Sequence, residues 1–172
     1  STELRYLNRS IYSGQLAGEH SFDDGNTKID WVTGISFSNK NEPDLRRYRY
    51  IRSTDDTTQY FLLFNENADL SSESQMWFSL NEKVYSVAVN FFRQLDFSGF
   101  RPELRTGIYI ENKKREFTAR NFGYSKAGSA SEFDRTTLPV DEIFADENIN
   151  LTDGIKLAEV TSLSDSYNAS NQ

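Results

Sequence analysis

The feature that most constrains the fold is an alternation of apolar and polar side chains, clearest over residues 27–38. A repeat of two residues is typical of a β-strand whose two faces meet different surroundings. One face carries Ile29, Trp31, Thr33, Ile35 and Phe37. The other face carries Lys28, Asp30, Gly34, Ser36 and Ser38, with Val32 as its apolar exception. The segment therefore predicts a strand in a sheet that has a single apolar face.

The same alternation recurs in three further segments, at about 9–21, 77–94 and 102–118. Turn-forming residues mark two short connections: DDGN at 23–26, and Asp96, Ser98, Gly99 and Pro102 in the second. The other two connections, about 39–76 and 119–172, are long. The sequence thus predicts an all-β fold, an antiparallel up-and-down meander of about four long strands with two long loops. Residues 49–52 and 59–63, around a turn at 54–57, are predicted to extend the sheet.

Composition narrows the class of protein. The 172 residues carry a net charge of -7, which argues against nucleic-acid binding because a polyanion gains nothing from phosphate contacts. The chain has no cysteine, which removes thiolate metal sites and cysteine nucleophiles. The sequence has no run of about 18 apolar residues, so no transmembrane helix is predicted. Only 37% of residues are hydrophobic yet 14% are aromatic, a balance that suits sheets with one wet face.

The predicted apolar face needs a covering surface, and the rest of the chain does not supply one. A soluble sandwich covers such a face with a second sheet. Segments 39–76 and 119–172 are mostly polar and show no second set of amphipathic strands. Short turns on one side with long loops on the other are how outer-membrane barrels are built, with lipid as the cover. Aromatic residues near both ends of the strands agree with a barrel, although the core of a soluble sheet would also accept them.

Five stretches resemble the barrel region of TonB-dependent outer-membrane receptors of the Bacteroidota type. They are SGQLAGEH at 13–20, IDWVTGISFSNKNEPDLRR at 29–47, FTARNFGY at 117–124, LPVDEIFADENIN at 138–150 and SDSYNAS at 164–170. None is a strong motif alone, but their order and spacing together are fairly specific. The resemblance spans about 9–170, which makes residues 1–172 an expected part of such a barrel.

The resemblance implies a 22-stranded transmembrane β-barrel, plugged by an N-terminal domain, in the cell outer membrane. It also implies transport of a large scarce nutrient, such as an iron–siderophore, cobalamin or a glycan. The expected partners are outer-membrane lipid, the nutrient ligand, and the TonB complex through a region outside these residues. A surface lipoprotein is a further partner that the resemblance leaves open. We expect a fragment of a receptor, with no cofactor and no enzymatic activity of its own.

The candidate ligand-binding residues follow the second strand. Arg46, Arg47 and Arg49, with Tyr48 and Tyr50, could contact an anionic or sugar-bearing ligand. The alternative is an ion-pair network in which Glu42 and Asp44 hold the arginines and fix the base of the loop. Opposite charges so close in sequence usually satisfy each other, which favours the alternative.

Other polar groups give weaker signals. Asp146, Glu147, Asn148, Asn150 and Asp153 could offer oxygen ligands to calcium, but their order does not match an EF-hand loop, so a solvated acidic loop is expected and no metal site. His20 lacks a recognisable nucleophile partner. The carboxylates Glu19, Asp30, Glu103 and Glu111 are expected on the hydrated strand face rather than in a glycosidase pair. The alternative function is a soluble or surface-attached β-domain that binds carbohydrate, and a purely structural piece is a third.

Overall fold

The computed structural model describes residues 1–52, 54–55, 59–128 and 137–171. The fold is all-β, with an antiparallel sheet of long strands, as the sequence predicts. The described residues form nine strands: β1 (Thr2–Leu4), β2 (Asn8–Phe22), β3 (Thr27–Tyr48), β4 (Tyr50–Arg52), β5 (Tyr60–Leu62), β6 (Ser74–Gln94), β7 (Glu103–Lys126), β8 (Ile155–Glu159) and β9 (Tyr167–Asn171). A short helix, α1 (Val140–Ile143), and three 3-10 turns (Asp23–Gly25, Asp146–Asn148 and Leu163–Asp165) complete the elements.

Both short connections lie where the sequence predicts them. The first turns through Asp23, Asp24 and Gly25, whose φ angles are 54°, 49° and 94°. The backbone N–H of Asn26 closes this turn by donating to the carbonyl of Asp23 at 3.0 Å. In the second, Phe97 and Phe100 exchange two backbone hydrogen bonds, and Gly99 adopts a φ of 86° that suits a residue without a Cβ.

The chain divides into two compact units. The strand unit contains residues 9–40, 80–117 and 168–172. In it β2 pairs with β3, β3 with β6, and β6 with β7, and β9 also pairs with β7. The long strands therefore lie side by side in chain order, which is the predicted meander.

The loop unit contains residues 1–8, 41–79 and 118–167. Here β1 pairs with the end of β3, opposing Thr2 and Tyr48, and β8 pairs with the end of β7. Strands β4 and β5 form a separate two-stranded antiparallel sheet. The unit has its own hydrophobic core, formed by Tyr48, Leu62, Phe64, Ile143 and Ile155, with Tyr124, Val140 and Phe144 packed against it.

Three features of the loop unit differ from the sequence prediction. Strand β3 continues past residue 38 to Tyr48, and β7 continues past residue 118 to Lys126, so both take up part of the predicted loops. The predicted strands at 49–52 and 59–63 exist, but they form their own sheet instead of extending the main one. The predicted turn at 54–57 lies partly outside the described residues. These differences arise because the long connections bury apolar side chains against each other.

Candidate functional site

The strand unit presents a broad apolar face that is open to solvent. Its members are Tyr12, Leu16, Ile35, Phe37, Tyr85, Val87, Leu104, Ile108 and Ile110, which we call the apolar face. Leu16 is 63% exposed, Ile108 59% and Val87 45%. Contiguous apolar surface of this kind marks a contact with a protein or a membrane.

The Trp31 indole of β3 packs against Gly18 of β2 on the same side of the sheet as the apolar face. An ideal Cβ at Gly18 would stand 2.7 Å from that ring, so glycine leaves the room that the indole occupies. The indole Nε1–H donates to Nε2 of His20 at 3.3 Å. The single histidine of the chain is thus a partner for a tryptophan on the strand surface.

On three neighbouring strands the apolar face gives way to polar side chains towards the same end of the sheet. Along β3, Phe37 is followed on the same face by Asn39, and Asn39 Nδ2 donates to Asn81 Oδ1 of β6 at 2.7 Å. Along β6, Tyr85 gives way to Lys83 and then to Asn81. Along β7, Ile110 gives way to Asn112 and Lys114. The Phe37 and Tyr85 rings meet edge to face, 6.3 Å apart, directly before this change.

The opposite face of the same strands is polar and internally paired. Asn90 Nδ2 donates to Asp30 Oδ2 at 2.6 Å, and the Tyr109 hydroxyl donates to Glu111 Oε2 at 2.6 Å. Further ion pairs on this face join Glu82 to Lys113 (3.2 Å) and Arg115 (2.5 Å), and Glu103 to Arg105 (3.0 Å). Asp30 and Glu19 line one groove with Lys28, Asn90 and Arg105. The carboxylates that the sequence places on the wet face therefore lie there, among hydrogen-bond and ion-pair partners.

The five predicted ligand-binding residues do not form one exposed cluster. Tyr48 is buried in the core of the loop unit, and its ring lies 5.5 Å from that of Phe144. Arg46 forms two hydrogen bonds with Asp44, at 2.8 and 2.9 Å. Arg47 pairs with Glu3 at 3.5 Å. The pairing of Arg46 with Asp44 agrees with the ion-pair alternative, whereas Arg47 pairs with a carboxylate outside it, and Glu42 pairs with Arg5 at 2.7 Å.

The other two predicted residues lie at the start of the β4–β5 hairpin. Arg49 Nη1 donates to the carbonyl of Ser71 at 3.4 Å, and Tyr50 is 37% exposed. Ligand contact by Arg49 and Tyr50 stays a prediction, since the structure carries no ligand to place against them.

Asp44 is the centre of a polar network that the sequence does not reveal. Its φ of 56° interrupts the regular geometry of β3, as in a β-bulge. Gln75 of β6 donates its amide to Asp44 Oδ1, and the Tyr124 hydroxyl of β7 donates to Gln75 Oε1 at 3.0 Å. The hydrogen bond from Arg46 lowers the pKa of Asp44 below its usual range. The network joins three neighbouring strands through their side chains.

A fully buried carboxyl group lies beside this network. Glu73 is 0% exposed, and its Oε1 accepts the backbone N–H of Arg49 at 3.1 Å. Its Oε2 has no hydrogen-bond partner among the described residues. Burial raises the pKa of Glu73 to about 7, although Arg49 and nearby backbone N–H groups favour the ionised form. No sequence signal identifies this residue, since Glu73 stands in a polar run between Ser72 and Ser74.

The acidic loop at 146–154 is stabilised by hydrogen bonds between asparagine side chains and backbone groups. Asn150 Oδ1 accepts the backbone N–H groups of Thr152, Asp153 and Gly154 at 2.9 to 3.1 Å. Asn148 Nδ2 donates to the carbonyl of Glu142 at 2.8 Å. Among the described residues, no group of three or more His, Cys, Asp or Glu side chains could hold a metal ion. The amide side chains of this loop stabilise its turn.

Comparison of the chain with protein-family models, with curated proteins and with solved structures gives no significant match. Within the part of the chain that the structure describes, no helix has the length and apolar character needed to cross a membrane.

Proposed function

We propose that this chain forms part of the barrel wall and surface loops of a TonB-dependent receptor in the cell outer membrane. The receptor would bind and admit a large scarce nutrient. The observation that carries the proposal is the exposed apolar face of the strand unit and its change to polar side chains, beginning at Asn39, Lys83 and Asn112, towards one end. Lipid hydrocarbon is a cover that such a surface fits, because a bilayer has an apolar interior next to a polar headgroup region.

The size of the apolar face supports a bilayer. From Ile29 to Phe37, nine residues of β3 advance roughly 27 Å. Transmembrane β-strands need about 9–11 residues when tilted, and the apolar band of an outer-membrane barrel is about 25 Å tall. Strands β3, β6 and β7 have 22, 21 and 24 residues, far longer than strands of soluble domains, which have about 3–10 residues. The excess length of β3 and β7 forms part of the loop unit.

The polar face and the loop unit fit the two other parts of the proposed receptor. Paired polar groups, such as the hydrogen bond from Asn90 to Asp30 and the ion pair of Glu82 with Arg115, suit a hydrated barrel interior. The packed loop unit suits surface loops that hold a defined shape for a ligand. TonB would act through a part of the receptor outside these residues.

A carbohydrate-binding β-domain in water is the second candidate. It is favoured by the β4–β5 hairpin, where Tyr60 is 57% exposed and the Arg52 guanidinium lies 5.8 Å from its ring centre. This candidate also requires a second sheet over Ile35, Val87 and Ile108, which are instead 39%, 45% and 59% exposed.

Fractionation of cells that express the native protein separates the two candidates. We expect the protein in the outer-membrane fraction and in solution only with detergent, because the apolar face is stable only against hydrocarbon. Recovery of folded protein in the soluble fraction without detergent would contradict the receptor proposal and leave the carbohydrate-binding domain.

A further inference from the structure

Two lysines stand immediately beyond the apolar face on neighbouring strands. Lys83 of β6 and Lys114 of β7 are both exposed and line one groove of about 340 Å³. Asn81, Asn168 and Ser170 line the same groove and offer hydrogen-bond donors. On β6 the next residue of the same face is Tyr85, which belongs to the apolar face.

Among the residues that the structure describes, the two ammonium groups have no carboxylate partner. Within residues 1–52, 54–55, 59–128 and 137–171, neither Lys83 nor Lys114 forms an ion pair, whereas Lys113 pairs with Glu82 on the opposite face. Arg115 also lines the groove, but its guanidinium is engaged by Glu82 at 2.5 Å. Glu116 contributes one negative charge to the groove, so the two free lysines leave it with a positive balance. This balance contrasts with the net charge of -7 of the whole chain.

We propose that Lys83 and Lys114 bind the phosphate of a lipid headgroup at the surface of the outer membrane. A lipid anchored against Tyr85 and Val87 by its acyl chains would place its phosphate beside the lysines, since headgroup and hydrocarbon are adjacent in a bilayer. A lysine near a membrane surface is attracted to anionic lipid by about 1 kcal/mol. The asparagine and serine side chains would donate to the remaining phosphate oxygens. This inference depends on the proposed function, because it requires the apolar face to lie in lipid.

The test compares two double variants of the full protein, purified in neutral detergent. Lys83→Gln with Lys114→Gln removes the free pair. Lys28→Gln with Lys113→Gln removes the same charge from the opposite face and is the matched control. Native mass spectrometry then measures retention of phosphatidic acid, of phosphatidylcholine with the same acyl chains, and of inorganic phosphate. Circular dichroism verifies that all variants keep their strand content.

We expect the wild type and the control to retain phosphatidic acid in preference to phosphatidylcholine. The Lys83/Lys114 variant should retain phosphatidic acid about thirtyfold less well, at about 1 kcal/mol for each of the two lysines. Equal retention by both double variants would overturn the proposal. Equal binding of inorganic phosphate and phosphatidic acid by the wild type would overturn the lipid headgroup as the source of the phosphate. If the protein needs detergent and either of these two results is found, only the lipid-phosphate inference is contradicted. If the protein is soluble without detergent, the receptor proposal is contradicted.

Discussion

Replacement of Ile108 by Arg is expected to reduce sharply the amount of protein that folds into the outer membrane. Ile108 lies near the middle of the apolar stretch of β7, with Leu104 on one side and Ile110 on the other. A cation on the lipid face near the bilayer midplane costs about 2–4 kcal/mol. The expected loss is therefore of order thirtyfold or more in the folded fraction, measured by chemical unfolding in lipid vesicles.

The neighbouring residue gives a matched control. Tyr109 belongs to the same strand, faces the opposite way and is 63% exposed, against 59% for Ile108. Tyr109→Arg places the same cation on the polar face, beside Glu111, and should change stability by less than about 1 kcal/mol. In a soluble protein both positions would meet water, and the two substitutions would then have similar small effects. That equality is the result that excludes lipid at Ile108.

Replacement of Glu73 by Gln is expected to remove a pH dependence of stability that wild type shows between about pH 4.5 and pH 8. The pKa of Glu73 is raised by burial from 4.5 to about 7 in the folded protein. In the unfolded chain the Glu73 carboxyl ionises at a lower pH than in the folded protein. The contribution of the neutral carboxyl to the free energy of unfolding is therefore complete below pH 4.5 and is lost as the pH rises through 7. A pKa raised from 4.5 to about 7 corresponds to a loss of roughly 3.5 kcal/mol, at about 1.4 kcal/mol per pKa unit. The glutamine keeps an oxygen that can accept the Arg49 N–H.

Urea unfolding in detergent micelles at a series of pH values measures this effect. Glu66→Gln removes an exposed carboxyl group of the same unit and is the control that should keep the wild-type pH profile. The pKa of Asp44 and that of Asp69 are lowered by their hydrogen bonds, so their contributions change only at more acidic pH. A wild-type profile that is flat from pH 4.5 to pH 8 would show that Glu73 is solvated rather than buried.

The four long strands of the strand unit could be predicted because each of them repeats the same two surroundings, whereas β9 was expected to be part of a long loop. When the surroundings alternate, residues such as Ile35 and Ser36 must alternate with them, and a slip by one residue would exchange the faces. The two short turns could also be predicted from the sequence, since Gly25 and Gly99 supply the positive φ angles that tight connections need. The identity of the surface that covers the apolar face is not contained in this pattern.

The loop unit could not be predicted because its core is assembled from residues far apart in the chain. Leu62, Ile143 and Ile155 are each nearly fully buried, yet none stands in a stretch with a regular alternation of apolar and polar residues. Leu45 and Tyr48, both beyond the bulge at Asp44, are buried despite opposite parity, so this end of β3 buries side chains on both faces and alternation does not reveal it. Tyr48, which the sequence groups with the arginines as a ligand site, lies in the core of the loop unit.

Site-directed spin labelling tests most directly whether the apolar face contacts lipid. The chain has no cysteine, so single-cysteine variants at Val87 and Ile108 can be labelled cleanly and compared with variants at Ala88 and Tyr109. In lipid vesicles, we predict that labels at Val87 and Ile108 collide often with oxygen, which dissolves in hydrocarbon, and rarely with a water-soluble nickel chelate. Labels at Ala88 and Tyr109 should show the reverse. Labels at Val87 and Ile108 that collide with the nickel chelate as often as those at Ala88 and Tyr109 would contradict the assignment of this face to the membrane.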